Sequence, residues 1–203
     1  EIAKYSNTAA LMLLLTRLAT GPVLIAGSEE QKQKYVRGVA DGSMRASFCL
    51  SEPQAGSDVM GTRARAEQRG DTWVLNGTKC WISGVEQADW FCIFAKTGPP
   101  DSRDHTSISA FIVDRDTAGV TVGHIDEKMG VKGVATGELI LDNATVSADN
   151  LIGDVGGFQI AMQGLNSMRP VVAARGLGVA ESAIMYVAEY LKSRAAFEKT
   201  LAD

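Results

Sequence analysis

The residues best suited to chemistry stand together at positions 46–58. Ala46, Phe48 and Leu50 alternate with Arg45, Ser47 and Cys49, the period-2 pattern of a half-buried strand. The strand stops in a small polar and acidic segment holding Ser51, Glu52, Pro53, Gly56, Ser57 and Asp58. Pro53 fixes one φ angle, and Gly56 admits backbone conformations closed to residues with a side chain. A strand end opening into such a loop presents unpaired amides and hydroxyls at a fixed place, which suits an ordered ligand carrying phosphate or amide groups. Read alone, the same segment also fits a plain β-turn between two strands.

Downstream lie Lys79, Cys80, Trp81, Ile82 and Ser83. Together the two stretches resemble the flavin-contacting signatures of the acyl-CoA dehydrogenase family. These signatures read aromatic-Cys-aliphatic-Thr/Ser-Glu-Pro-x-Ala-Gly-Ser-Asp and Lys-x-Trp-Ile-Thr/Ser. The run from Gly27 to Tyr35 is also usual in that family just before the flavin strand, although by itself it is ordinary helix chemistry. The resemblance runs through nearly the whole chain, which corresponds to about the middle half of a family member. It implies FAD as cofactor, with contacts from Phe48, Cys49, Leu50, Ser51, Gly56 and Ser57 in the first stretch and Trp81, Ile82 and Ser83 in the second. Trp81 would lie flat against the isoalloxazine, an apolar wall for a planar ring, and Ser83 would bond near its reactive nitrogen. The bland alternatives are a core-anchoring Trp81 and a turn-capping Ser57.

Two further places match. Asn166 and Arg169 are three apart, hence on one helix face, where the family usually has Asp-x-x-Arg against the CoA of the substrate. Ser57 and these two residues are therefore the expected substrate contacts. Asn166 lacks the charge of the commoner Asp, which weakens its pairing with Arg169. Arg194 and Phe197 resemble the Arg and Phe of Arg-x-x-Phe-Gly, which in the family reaches the flavin diphosphate of a neighbouring subunit. Here Glu198 replaces the Gly and brings a negative charge. At 132–136, Val134 replaces a commoner Ser, altering a local cap. No catalytic base is assigned. In most of the family that glutamate lies beyond position 203, and in some relatives it takes the position held here by Met168. Glu52, Asp58 and Glu138 read as turn or surface residues, and His105 and His124 as exposed.

The elements that must position these residues follow from the rest of the chain. With 203 residues, 45% hydrophobic, it is long enough to bury a substantial core. A net charge of −4 and no basic run give no footprint for nucleic acid. Cys49, Cys80 and Cys92 sit in apolar strand-like runs without metal or redox spacing, which indicates reduced, buried thiols in a cytoplasm-like compartment. The apolar run at 9–15 is too short to span a bilayer and lacks a signal peptide's basic flank, so no membrane span is expected. Residues 9–26 read as a mostly buried helix broken at Gly21 and Pro22. Ser28, followed by Glu29, Glu30 and Gln31, starts a second helix with a capping box, ending near Gly42.

From Met44 the texture becomes short strands: a hairpin over 71–82 turning at Asn76 and Gly77, strands at 90–96 and 107–113 joined by an exposed, mobile loop, and strands at 120–122 and 138–141. After Gly157 the period returns to 3.6, with Pro170 kinking the chain or starting a new helix. Small residues from Ala173 to Ala180 keep one face narrow. The expected fold is α+β: residues 1–42 end an N-terminal helical domain, 43–155 form a central antiparallel β-barrel or sandwich, and 156–203 begin a C-terminal helical domain, both helical parts incomplete. The resemblance implies an enzyme converting an acyl-CoA to a trans-2-enoyl-CoA, with electrons leaving to an electron-transfer flavoprotein. It also implies a homo- or hetero-oligomer, such as a homotetramer built as a dimer of dimers, in the cytoplasm or the mitochondrial matrix. Two alternatives stand beside it: a flavin oxidase or monooxygenase of the same fold, and a non-catalytic subunit of a hetero-oligomer.

Overall fold

In the computed structural model, which describes residues 1–202, the first helices are set by local caps. A short helix α1 (Ile2–Tyr5) gives way at Ser6 to α2 (Asn7–Ala26), and the Ser6 hydroxyl accepts the Ala9 amide at 3.1 Å. The expected break at Gly21 and Pro22 does not occur; α2 runs through both. The Pro22 ring is buried beside Gly164 of a later helix, so packing offsets the lost backbone hydrogen bond. Ser28 and Gln31 form the expected capping box at α3 (Glu29–Gln31). The chain then passes through a π-helical turn (Lys32–Val36) into α4 (Arg37–Ala40). Gln31, besides capping, donates to the carbonyls of Asp149 and Leu151, tying this helix to the end of the β region.

The β region has β1 (Ala46–Cys49), β2 (Arg65–Arg69), β3 (Thr72–Ser83), β4 (Trp90–Lys96), β5 (Ile108–Asp114), β6 (Val120–Ile125) and β7 (Thr136–Ser147). They form one curled sheet in the order β1-β4-β2-β3-β7-β6, with β5 also paired to β4. Two pairings correct the expectation of a wholly antiparallel sheet: β1 runs parallel to β4, and β2 meets β4 in parallel at Arg65 and Lys96. The chain leaves β1 and returns to the same sheet before making β4, and such a crossover permits parallel pairing.

The hairpin expected at Asn76 and Gly77 is also corrected. β3 continues straight through them, and the turn falls earlier, at Gly70 and Asp71, between β2 and β3. The pair makes a bulge instead, where the register with β7 shifts between Leu75 and Gly77. Gly77, at φ +146°, stands so close to Ala64 that an added Cβ would lie 2.6 Å from the Ala64 Cβ. The glycine therefore serves a close backbone approach.

β4 is apolar on both faces. Trp90, Cys92 and Phe94 face the helices, while Phe91, Ile93 and Ala95 face the interior of the curled sheet. The same alternation in β1 puts Cys49 inside the sheet and Phe48 and Leu50 on the helix side. The loop after β4 is exposed but anchored: Lys96 donates to the Pro100 carbonyl, and Arg103 makes a two-pronged contact with Asp58.

After β7 a single helix, α5 (Phe158–Ser193), runs 36 residues. No new helix starts at Pro170, which sits inside it. α2 crosses it where Gly21 faces Gly164, and both join the core beneath through Val23 and Ala161. Of the small-residue face, Gly178 packs closely, against Ala3; Gly176 faces open space. By length and composition alone α2 and α5 are each apolar enough to cross a membrane, a test that packed core helices also pass. Leu177, Ile184, Met185 and Tyr186 of α5 are all exposed. The chain ends in a ribbon of β8 (Ala195–Ala196) and β9 (Lys199–Thr200).

Candidate functional site

A cavity of about 430 Å³ opens between the end of β1, the end of β3 and the crossing of α2 with α5. Phe48, Leu50, Ser51, Gly56 and Ser57 line one wall; Trp81, Ile82 and Ser83 line another. The helices supply Leu15, Leu18, Met162, Leu165 and Arg169, and the adjoining short 3₁₀ turn adds Val59. Two stretches about thirty positions apart are thus brought to one place by β3 folding back against the end of β1.

Trp81 owes its position to a second bulge. Regular alternation would set Lys79 and Trp81 on the same face, yet Lys79 is 0% exposed and Trp81 61%. The register with β7 shifts between Lys79 and Ile82, and Trp81 takes φ +56°, a left-handed conformation unusual for so large a side chain. The indole is thereby turned out toward the cavity while Cys80 and Ile82 stay in the core. Strain of this kind is held only where the surroundings fix it.

Two residues before Trp81 stands one half of a buried ion pair not foreseen in the sequence, where Glu52 reads as a turn residue. Glu52 is 2% exposed and accepts from Lys79 Nζ at 2.6 Å, from Gln54 Nε2 at 2.6 Å and from the Arg63 amide at 2.7 Å. The Ala64 amide adds a further bond at 3.1 Å. Lys79 Nζ also donates to the Leu50 carbonyl at 3.1 Å, and the Cys80 amide donates to the Ser51 carbonyl at 3.0 Å. Burial pushes the Lys79 ammonium below its ordinary range, opposed by the neighbouring carboxylate. A signal for this pair was present: one lysine inside an otherwise apolar strand, and one acid at the mouth of the facing turn.

Both carbonyls at the strand end are therefore taken by β3, while the amides of Leu50 and Ser51 meet no acceptor among the described residues. Ser83 lines the cavity, and its carbonyl accepts the Ser47 hydroxyl at 2.9 Å. On α5, Arg169 Nη1 donates to Asn166 Oδ1 at 2.8 Å, so the pairing survives the neutral Asn.

Some expected residues stay apart. The Cys49 side chain lies in the sheet interior, where burial pushes its thiol up, so it does not line the cavity. Arg194 and Phe197 sit at the terminal ribbon, with Phe197 99% exposed at its tip; neither reaches the cavity. Met168 is buried on the other side of the helix pair, beside Leu14 and Arg17. Among the described residues no carboxylate lines the cavity. A larger, more open pocket of about 710 Å³ lies at the start of α3, lined by Glu30, Lys34, Asp149 and Asp154 among others, and holds none of the expected residues.

Comparison with known proteins agrees with this geometry. The family described as acyl-CoA dehydrogenase, middle domain, matches residues 47–144, and that described as acyl-CoA dehydrogenase, C-terminal domain, matches 155–203. An acyl-CoA dehydrogenase of Bacillus subtilis is 41% identical over 204 residues, covering 100% of this chain and 53% of its own. Among solved structures, butyryl-CoA dehydrogenase from Megasphaera elsdenii superposes with a TM-score of 0.94 at 37% identity, over 100% of this chain and 53% of that one. An acyl-CoA dehydrogenase from Bacillus anthracis complexed with FAD gives 0.83 at 38% identity, over 91% and 32%. The chain spans about half the length of the relatives it matches.

Proposed function

The chain belongs to the acyl-CoA dehydrogenase family, and from that we propose that it forms the cofactor-holding part of an enzyme that dehydrogenates an acyl-CoA thioester between its α and β carbons, giving a trans-2-enoyl-CoA. One observation carries this reading: an outward-turned indole, two unengaged amides and a helix arginine border one cavity.

The residues suit FAD. The Trp81 ring offers a flat apolar face, and the free amides of Leu50 and Ser51 with the Ser51 and Ser83 hydroxyls offer polar contacts for the edge of a planar heterocycle. FAD, when bound, supplies the acceptor for the β hydride. Leu15, Leu18, Met162 and Leu165 exclude water from the apolar side of the cavity. Arg169, oriented by Asn166, and Ser57 are placed to hold the anionic and polar CoA portion. The base that removes the α proton comes from outside this cavity lining, which has no carboxylate among the described residues. Arg194 and Phe197, exposed on a ribbon away from the cavity, fit a contact to the cofactor of a neighbouring subunit, which makes an oligomer part of the proposal. An electron-transfer flavoprotein is the proposed acceptor of the electrons.

The test is a spectrum of the full-length protein. It should carry bound flavin whose visible absorbance bleaches under anaerobic addition of an acyl-CoA. Purified protein with no capacity to bind FAD would overturn the reading, and rapid stoichiometric oxygen consumption on reoxidation would move it to an oxidase.

A further inference from the structure

Between the strand end and β3 lies a charge that the cavity never touches. Lys79 is absent from the cavity lining, fully buried, and bonded to the Leu50 carbonyl at 3.1 Å and to Glu52 at 2.6 Å. Peptide bonds here are all trans, so the N–H of the Leu50–Ser51 peptide points opposite to its C=O. With the carbonyl turned inward to Lys79, the Ser51 amide points away from it, and Ser51 lines the cavity with that amide unengaged. A cation on the carbonyl of a peptide polarises the whole unit and makes its N–H a stronger donor, because linked hydrogen bonds reinforce one another in a low-dielectric setting.

We propose that Lys79, held in place by Glu52, is a positioning residue for the cofactor. It fixes the Leu50–Ser51 peptide and strengthens the Ser51 N–H toward the polar edge of the bound ring. This rests on the reading of the cavity as a flavin site. The consequence is a bias toward the reduced ring, which carries more negative charge at that edge and gains more from a strengthened donor. A scaffold that only held the two stretches together would stabilise the fold without that bias.

The two roles separate in the full-length protein with Lys79→Met, Glu52→Gln and the double variant. Lys79→Met should weaken FAD binding to the apoprotein at least tenfold, read by quenching of flavin fluorescence. It should also lower the preference for reduced over oxidised flavin about tenfold, roughly 30 mV for a two-electron couple, read by dye equilibration. Glu52→Gln removes the anion that favours the charged form of Lys79 and aims it at the Leu50 carbonyl, so its potential should fall in the same direction as that of Lys79→Met. The double variant removes the uncompensated charge, so unfolding should return toward normal while the potential stays low. A double variant, or a folded Lys79→Met, with normal FAD affinity and potential would overturn the proposal. If Lys79→Met does not fold, the double variant decides. An unaltered protein that binds no FAD would instead overturn the flavin reading itself, and this inference with it.

Discussion

The turn at 52–58 is anchored at each end by an ion pair, and the two anchors share little besides charge. At its start Glu52 meets Lys79 with both side chains sealed from water, and every oxygen of the carboxylate is bonded. At its end Asp58 meets Arg103 at 2.8 Å with both side chains more than half exposed. The first joins the turn after β1 to β3; the second joins two loops. A buried pair costs more to assemble than its attraction returns unless the remaining polar sites are satisfied, and here the Arg63, Ala64 and Gln54 donors satisfy them. The exposed pair has water on both partners and contributes little. On the proposed reading, the difference makes the Leu50–Ser51 edge rigid where a ring is gripped and leaves Gly56 and Ser57 freer where ligand enters.

The sharpest way to break this comparison is to remove Glu52. Glu52→Ala leaves the Lys79 ammonium buried without its partner, and loss of one member of such a pair costs about 3–5 kcal/mol. Denaturant unfolding of the full-length protein should show that loss. A cost under about 1 kcal/mol would mean that water reaches the pair in solution.

Gly77→Ala attacks the same anchor from behind. Its backbone angle is one that residues with a side chain rarely adopt, at about 1–3 kcal/mol for the backbone alone, and the new methyl would press on Ala64, whose amide Glu52 holds. The expected result is a loss of at least that size by thermal unfolding, with further cost from overlap. An unchanged midpoint would show that Ala64 can move without disturbing Glu52.

How much of this was legible in the sequence depends on which interaction set each feature. The alternation from Ala46 to Leu50 and the apolar run from Trp90 to Lys96 were readable because burial imposes the side-chain period directly. The cavity wall was readable because Trp81, Ser83, Leu50 and Ser57 lie in long, specific motifs. The wrong turn at Asn76 and Gly77 came from reading a local signal that a distant strand overrides: β7 pairs on both sides of the bulge. Pro22 misled in the same way, since its buried ring packs beside Gly164; Pro170, exposed within α5, starts no new helix. The ion pair was hidden because charge in a motif reads as surface until the fold shows what closes over it. Glu198, at φ +64° where the family usually has glycine, shows the reverse case, a departure visible in sequence whose backbone consequence only the turn geometry reveals.

The smallest expected effect tests the other anchor. Arg103→Ala removes a two-pronged bond to Asp58, but both partners keep their water, so the cost should be within about 1 kcal/mol. Because both charges are exposed, the contribution should shrink further in high salt, where the screening length falls to about 3 Å at 1 M. A double-mutant cycle with Asp58→Ala, run at low and high salt, isolates the pair from any packing of the arginine stem. A coupling energy near zero at high salt keeps the two anchors in separate classes. A coupling of several kcal/mol that ignores salt would place Arg103 and Asp58 in a dry interface, and the turn would then be clamped equally at both ends.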